Sequence, residues 1–364
     1  MPQPRLLLFN LMTDADDPIL GFTTTWINAL AAHCEAVDVI TMQAGRLNVA
    51  DNVRIYSVGK EKGYSEARRA LVFYWILLRL LSQHQYDACF AHMIQLFAVM
   101  GAPLLKIAGV PITLWYAHKA TGRMLRLAEK LVDRIVTASP ESFRLPTHKL
   151  TVIGHGVDTG FFQPSPPQLE SSGQKRLLTV SRISPVKRIE TMIAALKALR
   201  DAGVSGVQLK VVGSVSAQDS AYADSLHERV RDLNLMEAVT FAGGLTQQAV
   251  VQEYQQSDIF VNMSATGSID KSVLEAMACG LPAITANEAF QPLLARWSDV
   301  LLVPPDSPEV LAARLKQVIA MPGAERAELG AELRQLVVEH HSLKQLVDRL
   351  LPILFSSSHP QATP

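Results

Sequence analysis

The sequence predicts an α/β protein built as two doubly wound parallel sheets. Three observations predict it. Short apolar segments of strand length alternate with longer helical segments along most of the chain, the pattern of a parallel sheet covered by crossover helices. The alternation breaks at residues 161–176, where Pro164, Pro166 and Pro167 stand among Ser, Gly and Gln, and it then restarts. The length of 364 residues exceeds one usual domain, and a hydrophobic content of 48% supplies two cores. The expected organisation is a first unit over 1–160, a linker over 161–176, a second unit over 177–340, a closing helix within 341–355 and a polar, structureless tail over 356–364.

Residues 6–11 read as the first strand, apolar throughout as a central parallel strand is. Residues 14–21 are its loop and 22–33 a helix. Gly21 stands where the backbone either turns or comes close to a ligand, and both readings stay open. Strands follow at 37–41 and 53–58, then a long helix at 65–83 that is dense in apolar residues but carries Arg68, Arg69 and Arg79. Residues 86–91 form a strand ending in His92, 94–108 a helix, and 111–117 a strand ending in His118. An amphipathic helix at 121–132 and strands at 135–138 and 150–153 complete the half.

The second half opens with a strand at 176–181 and a helix at 189–202. A strand at 207–212 ends at Gly213, and after a helix at 221–233 a strand at 239–242 ends at Gly243. A helix at 247–256 precedes the stretch around which the half is organised. There a buried strand at 258–264 runs into the loop Thr266-Gly-Ser-Ile-Asp270, a helix follows, and Gly280 and Pro282 stop it before a strand at 283–286. This is one βαβ unit, and its helix N-terminus faces the carboxyl edge of the sheet, where open α/β sheets bind ligands and where backbone N–H groups favour an anion. Helices at 308–320, 324–339 and 343–355 close the chain.

Composition removes several function classes. Basic and acidic residues balance at 34 each, so bulk nucleic-acid binding is not indicated. Cys34, Cys89 and Cys279 are odd in number and far apart, without metal or disulfide spacing, which fits a reducing cytosol. The N-terminus has no signal-peptide pattern, and no apolar run reaches the ~18 residues a membrane span needs.

Two loops carry candidate chemistry. In the first, Arg182 and Lys187 bracket Pro185 at the mouth of a βα turn; two cations beside a helix N-terminus can neutralise a diphosphate, or they are an exposed basic turn. In the second, Glu275 lies about one helical turn inside its helix. It either accepts hydrogen bonds from a pair of sugar hydroxyls or complements the helix dipole. Both loops leave the same edge of one sheet.

The order of motifs in the second half resembles the retaining nucleotide-sugar glycosyltransferases of family 4, with the GT-B fold. Leu178-Thr-Val-Ser-Arg182 followed by Lys187 resembles its donor-phosphate loop. Val211-Val-Gly213 and Val239-Thr-Phe-Ala-Gly243 resemble its next strand ends, and 254–264 with Leu274-Glu-Ala-Met-Ala-Cys-Gly-Leu-Pro282 its most characteristic block. In the first half, 132–139 and Val152-Ile-Gly-His-Gly-Val-Asp158 also fit, with His155 where an asparagine is common, and Gly21 falls at the family's first glycine-rich loop. The resemblance implies two Rossmann-like domains facing across a cleft, the first for the acceptor and the second for the donor, with the last helix crossing back to the first. It implies that Arg182 and Lys187 bind the donor diphosphate, that Glu275 binds the ribose hydroxyls, and that Gly21, Gly213 and Gly243 line the donor. It places His118 beside the reacting sugar, where a plain loop histidine is the alternative; His92 is a weaker candidate.

One departure from the family matters for the site. The family's motif pairs two glutamates eight apart, the first touching the transferred sugar, and eight before Glu275 stands Gly267. Asp270 and Lys271, with the backbone of Gly267 and Ser268, are the candidates to replace that contact. The implied reaction is metal-independent retaining transfer from a nucleotide-diphosphate sugar to an acceptor hydroxyl, in cell-envelope glycan or glycolipid synthesis, with no cofactor. The alternatives are another GT-B enzyme (a nucleotide-sugar 2-epimerase or a phosphorylase) or a non-catalytic nucleotide-sugar binder.

Charge is uneven along the chain. Residues 60–134 hold eleven Lys or Arg against five Asp or Glu. Arg68, Val72, Trp75 and Arg79 share one helical face, with Leu71, Phe73, Ile76, Leu77 and Leu80 expected as the apolar body. Arg123, Arg126 and Lys130 line a second helix. The apolar faces read as domain core, and the cationic faces as a surface for an anionic bilayer that would present a lipid-linked acceptor; a soluble acceptor sugar is the alternative. The expected location is cytoplasmic, peripheral on the inner face of the plasma membrane.

Overall fold

A computed structural model describes residues 3–17, 20–118, 120–165, 174–264 and 267–356. Within the expected linker, 166–173 lie outside the described residues, as do 357–364 of the expected tail and Thr266 of the organising loop. The chain divides into two compact units: Met1–Gly156 with Leu343–Pro364, and Val157–Ser342.

The first unit is a seven-stranded sheet, all parallel, built from β1 (Arg5–Thr13), β2 (Ala36–Ala44), β3 (Val53–Ser57), β4 (Ala88–His92), β5 (Ile112–Trp115), β6 (Arg134–Thr137) and β7 (Leu150–Val152). Their order is β3-β2-β1-β4-β5-β6-β7, so the chain reverses direction across the sheet between β1 and β4. Leu6, Leu7, Leu8 and Phe9 of β1 are all buried because helices cover both faces. On one face lie α2 (Glu66–Gln83), α3 (Gln95–Ile107) and α4 (Arg123–Leu131). Phe9, Phe73 and Phe97 meet there, with ring centroids 4.6–6.0 Å apart. On the other face lie α1 (Phe22–Ala31) and α12 (Leu343–Phe355).

α12 joins this unit for a reason its sequence spacing supplies. Leu343, Leu346, Val347, Leu350 and Leu354 form one apolar stripe, and all are buried against α1 and the sheet. Its last carbonyls have no intrahelical donors, and Arg134 supplies them: the guanidinium donates to Ile353 O at 2.6 Å and Ser356 O at 3.0 Å. Arg349 donates to Ile153 O at 3.2 Å.

The second unit is a five-stranded parallel sheet in the order β10-β9-β8-β11-β12, from β8 (Lys175–Val180), β9 (Val207–Val212), β10 (Val239–Gly243), β11 (Ile259–Asn262) and β12 (Ala283–Thr285). Helices α5 (Ile189–Asp201), α6 (Ser220–Asp232), α7 (Gln247–Gln256), α8 (Lys271–Ala278), α9 (Ser298–Leu301), α10 (Pro308–Ala320) and α11 (Gly323–His340) cover it. Here the chain reverses between β8 and β11, so the loops after these two strands open side by side at the carboxyl edge. The short α9, between 286 and 307, has no counterpart among the sequence expectations. α8 ends as its sequence predicts, with Gly280 at φ +77°. Arg334 on α11 takes up its Ala278 carbonyl and also those of Thr159 at 3.0 Å and Phe162 at 2.9 Å, so one guanidinium ties the start of the unit to its last helix.

Two expectations are corrected. Leu71 is not part of the apolar body of α2: it is 72% exposed, while Phe73, Ile76, Leu77 and Leu80 are buried. The weaker site candidate His92 is a core residue, 3% exposed, with its ring 4.8 Å from Trp26 and its Nδ1 3.4 Å from Asn10 Oδ1.

The docking of α12 yields a stability test. Leu350→Ala removes a fully buried side chain and is expected to destabilise the first unit by about 2–5 kcal/mol. In a Trp297→Phe background, Trp26 and Trp115 report that unit by fluorescence during urea unfolding. An unshifted midpoint would show that α12 contributes nothing to its core.

Candidate functional site

The two loops at the switch point of the second sheet meet through an ion pair. After β8 the chain passes Ser181 and Arg182, forms a 3-10 turn at Pro185–Lys187, and enters α5 through Arg188, whose φ is +49°. The turn ends on Lys187 and aims its ammonium across the edge. Its Nζ lies 2.8 Å from Asp270 Oδ1 and 3.3 Å from Ser264 Oγ. Both side chains of the pair are 14% exposed.

Asp270 directly precedes α8 but makes no side-chain cap to it. Its carboxylate is held from the other side by Asn287, whose Nδ2 donates to Asp270 Oδ2 at 3.0 Å and to Ser268 O at 2.6 Å. Asn287 is fully buried just past β12. Its backbone N–H donates to Thr285 Oγ1, the Thr285 hydroxyl donates to Asn262 Oδ1, and Asn262 Oδ1 accepts from the Ser264 backbone N–H. The ends of β11 and β12 and the loop after β8 are thus linked by one polar network whose charged members are Lys187 and Asp270.

The remaining predicted residues surround it. Arg182 is exposed and makes no hydrogen bond or ion pair to the described residues. Gly213, past β9, donates its N–H to Gly243 O at 2.8 Å; a Cβ on Gly213 would stand 1.7 Å from Ser181 O, so only glycine lets the strand end approach the cationic loop this closely. Gly243 closes β10 and is exposed, and Gly267 is buried with φ +65°. Glu275 lies on the inner side of α8, with Lys271 Nζ 3.2 Å from Oε1 and the Tyr254 hydroxyl 3.2 Å from Oε2. Burial, then the Glu275 charge, pushes the Tyr254 phenol up, so it remains a protonated donor. Burial, with Glu275, also pushes the Cys279 thiol up to about 12, which leaves it inert.

Gly21 and His118 belong to the first unit. Gly21 starts α1, and a Cβ there would stand 2.6 Å from Asp17 O. The His118 ring is exposed past β5, and its Nδ1 accepts the Ala120 N–H at 3.0 Å. A neutral ring therefore carries its proton on Nε2, as a donor. Asn287 and Tyr254 are the members that sequence reasoning did not single out. Tyr254 stood inside a recognised block, and Asn287 had the weaker signal of a polar residue just past a strand at the ligand-binding edge.

Residues 162–336, just under half the chain, match the family described as glycosyl transferases group 1, and all lie within the second unit. The D-inositol 3-phosphate glycosyltransferase of Kineococcus radiotolerans is 30% identical over 204 residues, 50% of this chain and 46% of that protein. The GDP-mannose-dependent alpha-(1-6)-phosphatidylinositol monomannoside mannosyltransferase of Mycobacterium tuberculosis is 26% identical over 243 residues, 59% of this chain and 61% of that protein. The chain thus spans about half to three fifths of the length of these curated relatives. Among solved structures, Anabaena HepE in complex with UDP and glucose aligns with a TM-score of 0.73 over 96% of this chain and 99% of that one, at 17% identity. The two parallel-sheet units have GT-B glycosyltransferases as structural neighbours.

Removing the buried amide tests the network. Asn287→Ala leaves Ser268 O and Asp270 Oδ2 without their donor and is expected to cost the second unit roughly 1–3 kcal/mol. Thermal unfolding unchanged from wild type would mean that water or another group already serves both acceptors.

Proposed function

We propose that the chain is a retaining, metal-independent glycosyltransferase that moves a sugar from a nucleotide-diphosphate sugar to an acceptor hydroxyl. The observation that supports this best is the Lys187–Asp270–Asn287 network at the switch point of the second sheet, inside the residues that match the family. Lys187 is held by two protein acceptors with an N–H to spare, and Arg182 is not engaged by any described residue. Together they receive the donor diphosphate and stabilise the charge that develops as it leaves. Glu275, braced by Lys271 and Tyr254, accepts the two ribose hydroxyls. Gly213 and Gly243 keep the strand ends low enough for the nucleotide to lie against backbone.

The sugar is held by the loop at 267–271. Gly267 and Ser268 contribute backbone, and Asp270 and Lys271 are the side chains in reach, each already in an ion pair within the protein. In the first unit, His118, with Nε2 as its donor, and the backbone at Gly21 are the proposed sugar-contacting groups. The acceptor hydroxyl approaches the face from which the diphosphate departs. The new C–O bond forms as the anomeric C–O bond to phosphate breaks, and a departing phosphate oxygen takes the hydroxyl proton. The protein's share is position and charge stabilisation.

The relatives' names speak of an inositol phosphate and a phosphatidylinositol mannoside. An acceptor sugar or a lipid-linked acceptor of the cell envelope follows as the proposed substrate class. No helix among the described residues is long and apolar enough to cross a membrane. A cytoplasmic enzyme held peripherally on the inner face of the plasma membrane is the proposed arrangement.

A panel of nucleotide sugars, with and without sugar and lipid-linked acceptors, tests the reading. Acceptor-dependent release of nucleotide diphosphate is the expected result. Donor conversion without acceptor would point to an epimerase, dependence on free phosphate to a phosphorylase, and binding without turnover to a binding protein. In calorimetry, Arg182→Ala and Lys187→Ala should each weaken nucleotide diphosphate binding by roughly 1.5–3 kcal/mol, and unchanged binding in both would remove the phosphate assignment.

A further inference from the structure

We propose that the outer face of α2 is a bilayer-insertion element, seated among anionic phospholipids. α2 buries Phe73, Ile76, Leu77 and Leu80 against the sheet. That leaves its opposite face to water, and this face is apolar. Leu71 is 72% exposed, Trp75 62% and Leu78 52%. Their spacing of four and three residues places them on one stripe. Isolated surface leucines are ordinary, but three large apolar side chains in line on one helix are a patch that needs a partner.

The ends of the stripe say which partner fits. Arg68 and Arg79 flank it, about 16 Å apart along the helix axis at 1.5 Å per residue. Neither guanidinium is in an ion pair with a described residue. Each lies over an aromatic ring instead: Arg68 3.6 Å from the Tyr64 centroid, Arg79 5.6 Å from that of Trp75. An apolar stripe with a tryptophan, closed at both ends by cations, has the chemistry of a helix lying in the headgroup layer with its apolar face about 5–10 Å deep.

The neighbouring helices continue this chemistry. α3 and α4 cover the same sheet face as α2. Ile107 on α3 is 85% exposed and Leu127 on α4 45%. Across the three helices seven Lys or Arg stand against two acidic residues, Glu66 and Glu129. A protein groove would need opposing carboxylates in register with these cations, whereas an anionic leaflet supplies negative charge at any register. The charge therefore favours a lipid surface over a protein partner or a second copy. This deepens the proposed delivery of a lipid-linked acceptor and rests on that reading only for its biological purpose, since docking requires no transfer chemistry.

Sedimentation of the full chain with vesicles of phosphatidylcholine alone, or mixed with phosphatidylglycerol, tests the proposal. Binding is expected to the mixed vesicles at low salt and to weaken as salt rises. The exposed triple variant Leu71→Ser/Trp75→Ser/Leu78→Ser should lose at least about tenfold in partitioning. Arg68→Gln and Arg79→Gln should each lose about fivefold, the equivalent of about 1 kcal/mol per basic residue at an anionic surface. Trp75 is the one strongly exposed tryptophan among the described residues, so its emission should shift to the blue on binding, and Trp75→Phe should abolish the shift. Absence of binding at low salt, or a triple variant that binds like wild type, overturns the proposal. So does wild-type self-association in analytical centrifugation that the triple variant loses, which would make the stripe an interface between copies. Turnover in the donor panel without vesicle binding defeats this inference alone; vesicle binding without turnover defeats the transferase reading alone.

Discussion

An ammonium fixed between a carboxylate and a hydroxyl is the constraint on which the candidate site depends. Lys187 has a flexible four-carbon stem, and left free it would sample many rotamers. Asp270 and Ser264 hold two of its three N–H groups, so its position is set before any ligand arrives. Asp270 is in turn prevented from swinging back to cap α8 by Asn287, whose own orientation is fixed at the end of β12: its backbone N–H donates to Thr285 Oγ1, and its Oδ1 accepts the Ala289 N–H. Rotamer entropy is therefore lost during folding and not during binding, which is what preorganisation of a charge site means physically. The arrangement holds one more condition: the Lys187–Asp270 pair is neutral as a unit, and Arg182 of the same loop is paired by no described residue.

The same network accounts for the loop that lacks a carboxylate at 267. Gly267 takes φ +65°, a conformation a side-chain-bearing residue rarely adopts, and the chain turns there so that Ser268 O reaches Asn287. A carboxylate at 270, three residues later, then stands at the mouth of the site. Glycine at 267 therefore sets the geometry of the loop as well as leaving that position without a side chain.

What could be read from the sequence was what depends on local pattern. The parallel strands were legible because apolar runs such as Leu6 to Phe9 admit no other burial, and the end of α8 because Gly280 and Pro282 forbid its continuation. The positions of Arg182, Lys187 and Glu275 followed from loops at strand ends. What could not be read depends on partners distant in sequence. Lys187 and Asp270 are 83 residues apart, and Asn287 gains its role only when β12 lies beside β11. The exposure of Leu71 was likewise hidden: periodicity shows that α2 has two faces with leucines on each, and only packing decides which one the sheet covers. His92 failed in the opposite sense, since the end of a strand suggested a ligand where the structure has an aromatic core.

The first unit divides its two faces between different tasks. One is closed by α1 and α12, with Arg134 satisfying the end of the last helix; the other carries the basic and apolar outer layer of α2, α3 and α4. The chemistry proposed for the second unit turns on how the anomeric bond is exchanged. Proton NMR of the product formed in the presence of EDTA, from whichever donor supports turnover, tests it most directly. The account predicts undiminished turnover and an anomeric configuration identical to that of the donor. An inverted product, or a reaction abolished by chelation, would contradict it.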